Sequence, residues 1–311
     1  MQNMRDIQRR IGSVKNTQKI TRAMKMVAAA KLKNAQNRAE DARPFFNKTV
    51  EVLRGVFTRT KEAAHPLLAE REGGRHLVIV ITGDRGLCGA YNHKVIDLAE
   101  EIVETEEEVS LMVLGRKARD YFRRLDTDIM AEYVQLDDYP GYGFANNLAD
   151  EIIHHFEAED VNKVSMIYTH FNSAISQSVK NMQLLPVEKF AEEAEKPETE
   201  QKEPVEAEMD AETDAETVEE EGEKKYVDYI FEPSPAEVFD NILPQYLINV
   251  IYSALLESKA SEFGARMTAM DSATENASEM IDDLTLKYNR ARQAEITKEI
   301  TEIVGGAEAL K

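Results

Sequence analysis

YLINVIYSALLESKASEFGARMTAMDSATENASEMIDDLTLKYNRA, residues 246–291, decides the fold. Tyr246, Asn249, Ser253, Leu256, Ala260, Phe263, Met267, Met270, Thr274, Ala277, Ile281, Leu284, Tyr288 and Ala291 recur in it at alternating steps of three and four. That spacing is the seam of a coiled-coil helix, one apolar line that drifts slowly around the axis. Beyond Ala291 the line shifts by one residue to Ile296, Ile300, Ile303 and Ala307, and Gly305 and Gly306 are expected to weaken the helix there. From Pro235 onward the helix should reach roughly 90 to 100 Å at 1.5 Å per residue.

Such a seam needs a partner, and the other end of the chain supplies one. Met4, Ile7, Ile11 and Val14 form a helical stripe that Met24, Val27, Ala28 and Leu32 resume. Between them the stripe is polar, at Thr17, Gln18 and Thr21, and no proline interrupts before Pro44. A helix from the start to about residue 57 would be roughly 85 Å long. Neither helix can bury its own stripe, and a buried Ile, Leu or Met contributes roughly 1.5–3 kcal/mol, so the two should pair. One helix enters the intervening region and the other leaves it, which makes the pair antiparallel. The second helix is longer by about ten residues, so its end should project roughly 15 Å as a lone helix.

The middle of the chain has another rhythm. HLVIVIT, VSLMVLG and KVSMIYTHF are apolar runs of strand length, and NHKVIDLAEEIVE, RKARDYFRRL and ANNLADEIIHHFEA have helical spacing. Alternating strands and helices imply a mainly parallel sheet. VKNMQLLPV and KYVDYIFEP read as two further strands joined by an acidic insert. The expected division is a coiled-coil helix over 1–60, an α/β domain over 75–232 with a disordered insert at 190–225, and a second coiled-coil helix over 235–311.

Charge is divided as sharply as structure. The whole chain carries 38 Lys+Arg against 58 Asp+Glu, a net charge of -20. Residues 190–225 hold sixteen carboxylates against four lysines and supply -12 of it, whereas residues 1–40 have a local charge of +8. The insert is too poor in apolar residues to offset the entropy of ordering. One basic helix in an acidic chain with no Trp is a weak nucleic-acid footprint, so no nucleic-acid partner is expected.

Sites of chemistry are hard to find. Gly83, Gly86 and Gly89 in GDRGLCG follow a strand, but their spacing fits neither a dinucleotide loop nor a phosphate loop, which leaves a structural turn. Cys88 is the single cysteine, which excludes an intrachain disulfide and paired-cysteine zinc. Adjacent His154 and His155 should point apart on a helix. No catalytic residue, metal, cofactor or direct small-molecule ligand is expected.

The two ends, MRDIQRRIGSVKNTQKITRAMKMVAAAKLKNAQ and ARMTAMDSATENASEMIDDLTLKYNRARQAEITKEITEIVGGAEAL, closely resemble the gamma subunit of F-type ATP synthase. TGDRGLCGAYN and DYIFEPSP also look like that family's central domain, and ITKEITEIVGGA matches its C-terminal signature. The resemblance implies a rotor. An antiparallel coiled coil, with a Rossmann-like α/β domain at its base, would carry torque between a proton-driven membrane c-ring and a catalytic ring of alpha and beta subunits, accompanied by an epsilon subunit. It implies contacts to the beta subunits at Met24 and Arg266 near a waist, and at Arg292, Gln293, Thr297 and Glu299 near the tip. Read from the residues alone, Met24 is core packing and the two arginines are solvated. The absence of a transit segment suggests a peripheral protein at the cytoplasmic face of a bacterial plasma membrane. The family's chloroplast members carry a dithiol switch here, and this insert has no cysteine.

Overall fold

A computed structural model describes residues 4–57, 65–71, 73–187, 232 and 234–309. Its elements are helix α1 (Met4–Phe57), strand β1 (His76–Ile81), α2 (Tyr91–Thr105), β2 (Val109–Leu114), α3 (Arg116–Phe122), β3 (Ile129–Tyr133), α4 (Tyr142–Glu157), β4 (Lys163–Phe171), β5 (Gln177–Leu185) and α5 (Pro235–Ala309). The acidic insert and KYVDYIFEP lie outside the described residues, apart from Glu232.

All six residues of β1 are buried, as a central strand covered on both faces requires. Leu77, Ile79 and Ile81 pack with α4, α5 and the end of α1, while Val78 and Val80 pack with α2 and α3. The five strands stand in the order β3-β2-β1-β4-β5, parallel except for the antiparallel β4–β5 pair. The sequence periodicity did not show β3. It is an edge strand whose residues are half-buried or exposed, so it carries no apolar run.

One buried polar group joins the sheet to its flank. The ring of His76 has Nδ1 2.5 Å from Glu106 Oε2 and Nε2 2.8 Å from Ser165 Oγ. Burial lowers the affinity of His76 for a proton, and the Glu106 carboxylate only partly opposes this. Burial raises the pKa of Glu106, but His76 and Lys163 outweigh it, so the group titrates below its ordinary value. His65 is lowered by burial in the same way. An unfolded histidine protonates near pH 6.5, before the native ring does, so stability should fall as pH drops below about 6.5. Urea midpoints at pH 7.5 and 5.5 test this: His76→Gln should narrow the difference between them, and an unchanged difference would remove His76 as the cause.

The terminal helices pair antiparallel. The Thr21 and Thr274 hydroxyls are 2.7 Å apart, Lys25 Nζ is 2.6 Å from Asp271, and Asn249 Nδ2 donates to Thr49 Oγ1 at 3.5 Å. Ile7, Met270, Ala277 and Leu284 are buried along the seam, and Ile11, Val14, Met267, Thr274, Ile281, Tyr288 and Ala291 are half-buried. Val27 departs from the expected stripe. It is 57% exposed, because the seam of α1 passes through Thr21, Lys25 and Ala28 instead. α5 also runs on through Gly305 and Gly306 to Ala309 and has 75 residues, about 112 Å of helix. Pairing sets where the overhang begins: the Thr21–Thr274 register puts Met4 beside Ala291, and residues 292–307 are exposed all round. Residues 292–309 therefore project about 27 Å, further than sequence lengths alone suggest.

The coil has two electrical faces. On α1, Arg5, Arg9, Arg10, Lys15, Lys19 and Arg22 are exposed. On the facing length of α5, Asp271, Glu275, Glu279, Asp282 and Asp283 are exposed and outnumber the exposed Lys287 and Arg290.

Candidate functional site

Three surfaces could bear function, and they lie on one axis. The first is the overhang. Ile296, Ile300 and Ile303 follow at four and three residues and so share one helix face; they are 48%, 57% and 70% exposed. A stripe of this size left in water marks a surface meant for a partner. Arg292, Gln293, Thr297 and Glu299 are exposed around it, with the Thr297 hydroxyl donating to the Gln293 carbonyl at 2.8 Å.

The second surface flanks the coil below the overhang. Ile20, Met24 and Val27 also follow at four and three residues, with Ile20 60% exposed and Met24 half-buried. Sequence periodicity missed Ile20 and put Val27 in the seam.

The third is the junction of α5 with the sheet. In doubly wound folds ligands enter at the carboxyl ends of the strands, where the strand order reverses. Here that point lies between β1 and β4, and α5 itself fills it. Ser258 Oγ accepts from the Thr169 N–H at 3.3 Å, and the Ser261 hydroxyl donates to the Thr169 carbonyl at 3.1 Å. Glu262 lies so close to the loop after β1 that a Cβ on Gly83 would come within 3.0 Å of its carboxyl carbon. Arg266 donates to the Gly86 carbonyl at 3.4 Å.

A buried ionic trio holds this junction. Glu262 Oε2 is 3.3 Å from Lys259 Nζ, and its Oε1 is 2.8 Å from Arg266, with all three side chains at most 12% exposed. Burial, with the Glu262 charge adding to it, pushes the Tyr91 hydroxyl well above its ordinary pKa. Burial likewise raises the Cys88 thiol. The sequence hid the trio, because charges three and four apart on a helix ordinarily read as solvated pairs. Their place beside Ala260 and Phe263 of the seam was the available signal.

The six expected contact residues therefore fall into separate groups. Arg292, Gln293, Thr297 and Glu299 surround the tip, about 39–50 Å along the helix from Arg266. Met24 lies on the coil flank. Arg266 faces inward and is satisfied within its own chain. Among the described residues no group of His, Cys, Asp and Glu is arranged to hold a metal, and no helix is long and apolar enough to cross a membrane.

Known proteins share this arrangement. The sequence model of a family described as ATP synthase matches residues 3–310. The chain is 54% identical to the ATP synthase gamma chain of Halothermothrix orenii and 46% identical to that of Heliobacterium modesticaldum, with the alignments covering all of both chains in each case. Among solved structures it resembles a chain of the Tetrahymena thermophila mitochondrial ATP synthase central stalk and c-ring. The TM-score is 0.57 and the identity 26%, over 82% of this chain and 99% of that one. A chain of the Euglena gracilis mitochondrial ATP synthase shares the fold, with a TM-score of 0.53 at 18% identity over 93% and 95% of the two chains.

Proposed function

The chain belongs to the gamma-chain family of F-type ATP synthase, whose central stalk it forms, and from that premise we propose how its three surfaces divide the work. The overhang of α5 is the bearing, the coil below it is the shaft, and the junction with the sheet is where torque passes between shaft and base. The chain has no catalytic site of its own in this reading. It turns inside alpha and beta subunits, with the base of the α/β domain against epsilon and the membrane c-ring, at the cytoplasmic face of a bacterial plasma membrane.

The observation that carries this is the exposed apolar face of residues 292–307, which extends beyond any support from α1. Ile296, Ile300 and Ile303, already partly covered, would each gain roughly 1–2 kcal/mol on full burial, enough to seat the tip in an apolar sleeve. Arg292, Gln293, Thr297 and Glu299 then meet the beta subunits around that sleeve, and Met24, with Ile20 and Val27, meets them lower down. Arg266 serves the internal junction first. The parts 1–60, 75–232 and 235–311 correspond to shaft, base and shaft.

Co-expression with matched alpha and beta subunits tests the bearing. A chain ending at Ala291 keeps the paired seam and loses the overhang. It should give a complex that dissociates more readily and hydrolyses ATP several-fold more slowly than the full chain. The triple substitution Ile296→Ser, Ile300→Ser, Ile303→Ser should do the same. Unchanged complex stability and turnover in both would remove the bearing from the proposal.

A further inference from the structure

We propose that a cleft between the start of α2, the β4–β5 hairpin and α5 binds a small oxyanion of the phosphate class. The cleft has a volume of about 210 Å³, and no Asp or Glu is among its lining residues. Gly89, Ala90 and Tyr91 bring the N-terminal end of α2 to it, and Lys94 and Thr268 stand at its wall.

Two sources of positive potential converge there. α2 has 15 residues and no side chain caps its start among the described residues, so the partial positive charge of its end lies beside the cleft. Lys94 is exposed and has no ion-pair partner among the described residues.

The observation that calls for a ligand is Thr169. Its residue is 3% exposed, it lines the cleft, and its Oγ1 has no hydrogen-bond partner among the described residues. Thr169 is paired with Val179 across the β4–β5 ladder, so both side chains stand on one face of the sheet, and Val179 lines the same cleft. A buried hydroxyl left without a partner is costly, and an oxyanion in the cleft would accept from it. The sequence suggested no direct small-molecule ligand because this site has no phosphate-loop glycine pattern. Its donors come from a helix end, a strand and a lone lysine that are far apart in the chain.

Equilibrium dialysis of the full chain with radiolabelled inorganic phosphate is the test. One saturable site per chain is expected. Lys94→Gln should weaken it about fivefold, the scale of one exposed charge. Thr169→Val should weaken it about tenfold, and phosphate, which raises the Tm of the parent, should raise the variant's Tm by less at the same concentration. A parallel titration with AMP separates the sources: tighter binding than phosphate assigns the site to a nucleotide's phosphate, and equal or weaker binding assigns it to the free ion. Absence of saturable binding, or parental affinity in both variants, would overturn the proposal. The stalk assignment does not depend on this site and would stand.

Discussion

Gly115→Ala is expected to destabilise the protein by about 3 kcal/mol, more than any other change of one methyl group considered for the base. Gly115 follows β2 with φ at +100°, a conformation that L side chains rarely adopt. An added Cβ would stand 2.2 Å from the Thr82 carbonyl oxygen and 2.7 Å from its carbon. Neither side can yield cheaply. The Gly115 N–H donates to Tyr133 O at 2.7 Å, and the Thr82 N–H donates to Leu114 O at 2.8 Å, so three strands fix the contact. The loop that receives α5 begins one residue after Thr82, and damage here should loosen the shaft as well as the sheet. Urea unfolding of the full chain measures it, with Gly141→Ala as the control, since a Cβ there meets nothing within 4 Å. Equal midpoints for the two variants would show that the ends of β1 and β2 adjust freely.

Glu262→Gln carries the second large effect. The substitution preserves shape and removes the one negative charge between Lys259 and Arg266. It leaves two buried cations facing each other, which costs about 3–5 kcal/mol when one member of a buried ion pair is lost. Replacing all three together, as Lys259→Met, Glu262→Leu and Arg266→Met, should recover most of that loss, because no buried charge then remains uncompensated. A triple variant as unstable as Glu262→Gln would mean that the trio acts through shape rather than charge. Single-molecule rotation of the assembled complex adds a readout that packing alone would not move: the single variant should slip under load if torque crosses this junction.

The pairing of α1 with α5 was legible because each helix repeats its apolar residues at three and four. The length of the overhang was not, since it depends on the register between the helices, and no pattern within one helix says that Thr21 meets Thr274. The same cause misplaced Val27: with Thr21 and Lys25 in the seam, apolar character alone could not trace the line. In the sheet, β1, β2 and β4 announced themselves as buried runs, whereas β3 is half-wet and reads as loop. For the tip, exposed isoleucines in a helical repeat were enough. The junction stayed hidden because Lys259, Glu262 and Arg266 are ordinary helix-surface residues until a sheet covers them.

The two electrical faces of the coil give rotation an angular signature. A stationary charged group beside a turning shaft of uniform charge would feel the same field at every angle. Here the basic side of α1 and the acidic side of α5 pass such a group in turn, once per revolution. An acidic group on the surrounding wall would be drawn in over one half-turn and repelled over the other. Its energy would follow a single wave in angle, flattened by added salt because the charges are exposed. Coupling between this shaft and its surroundings thus has a long-range component, set by orientation, that acts before any side chains touch.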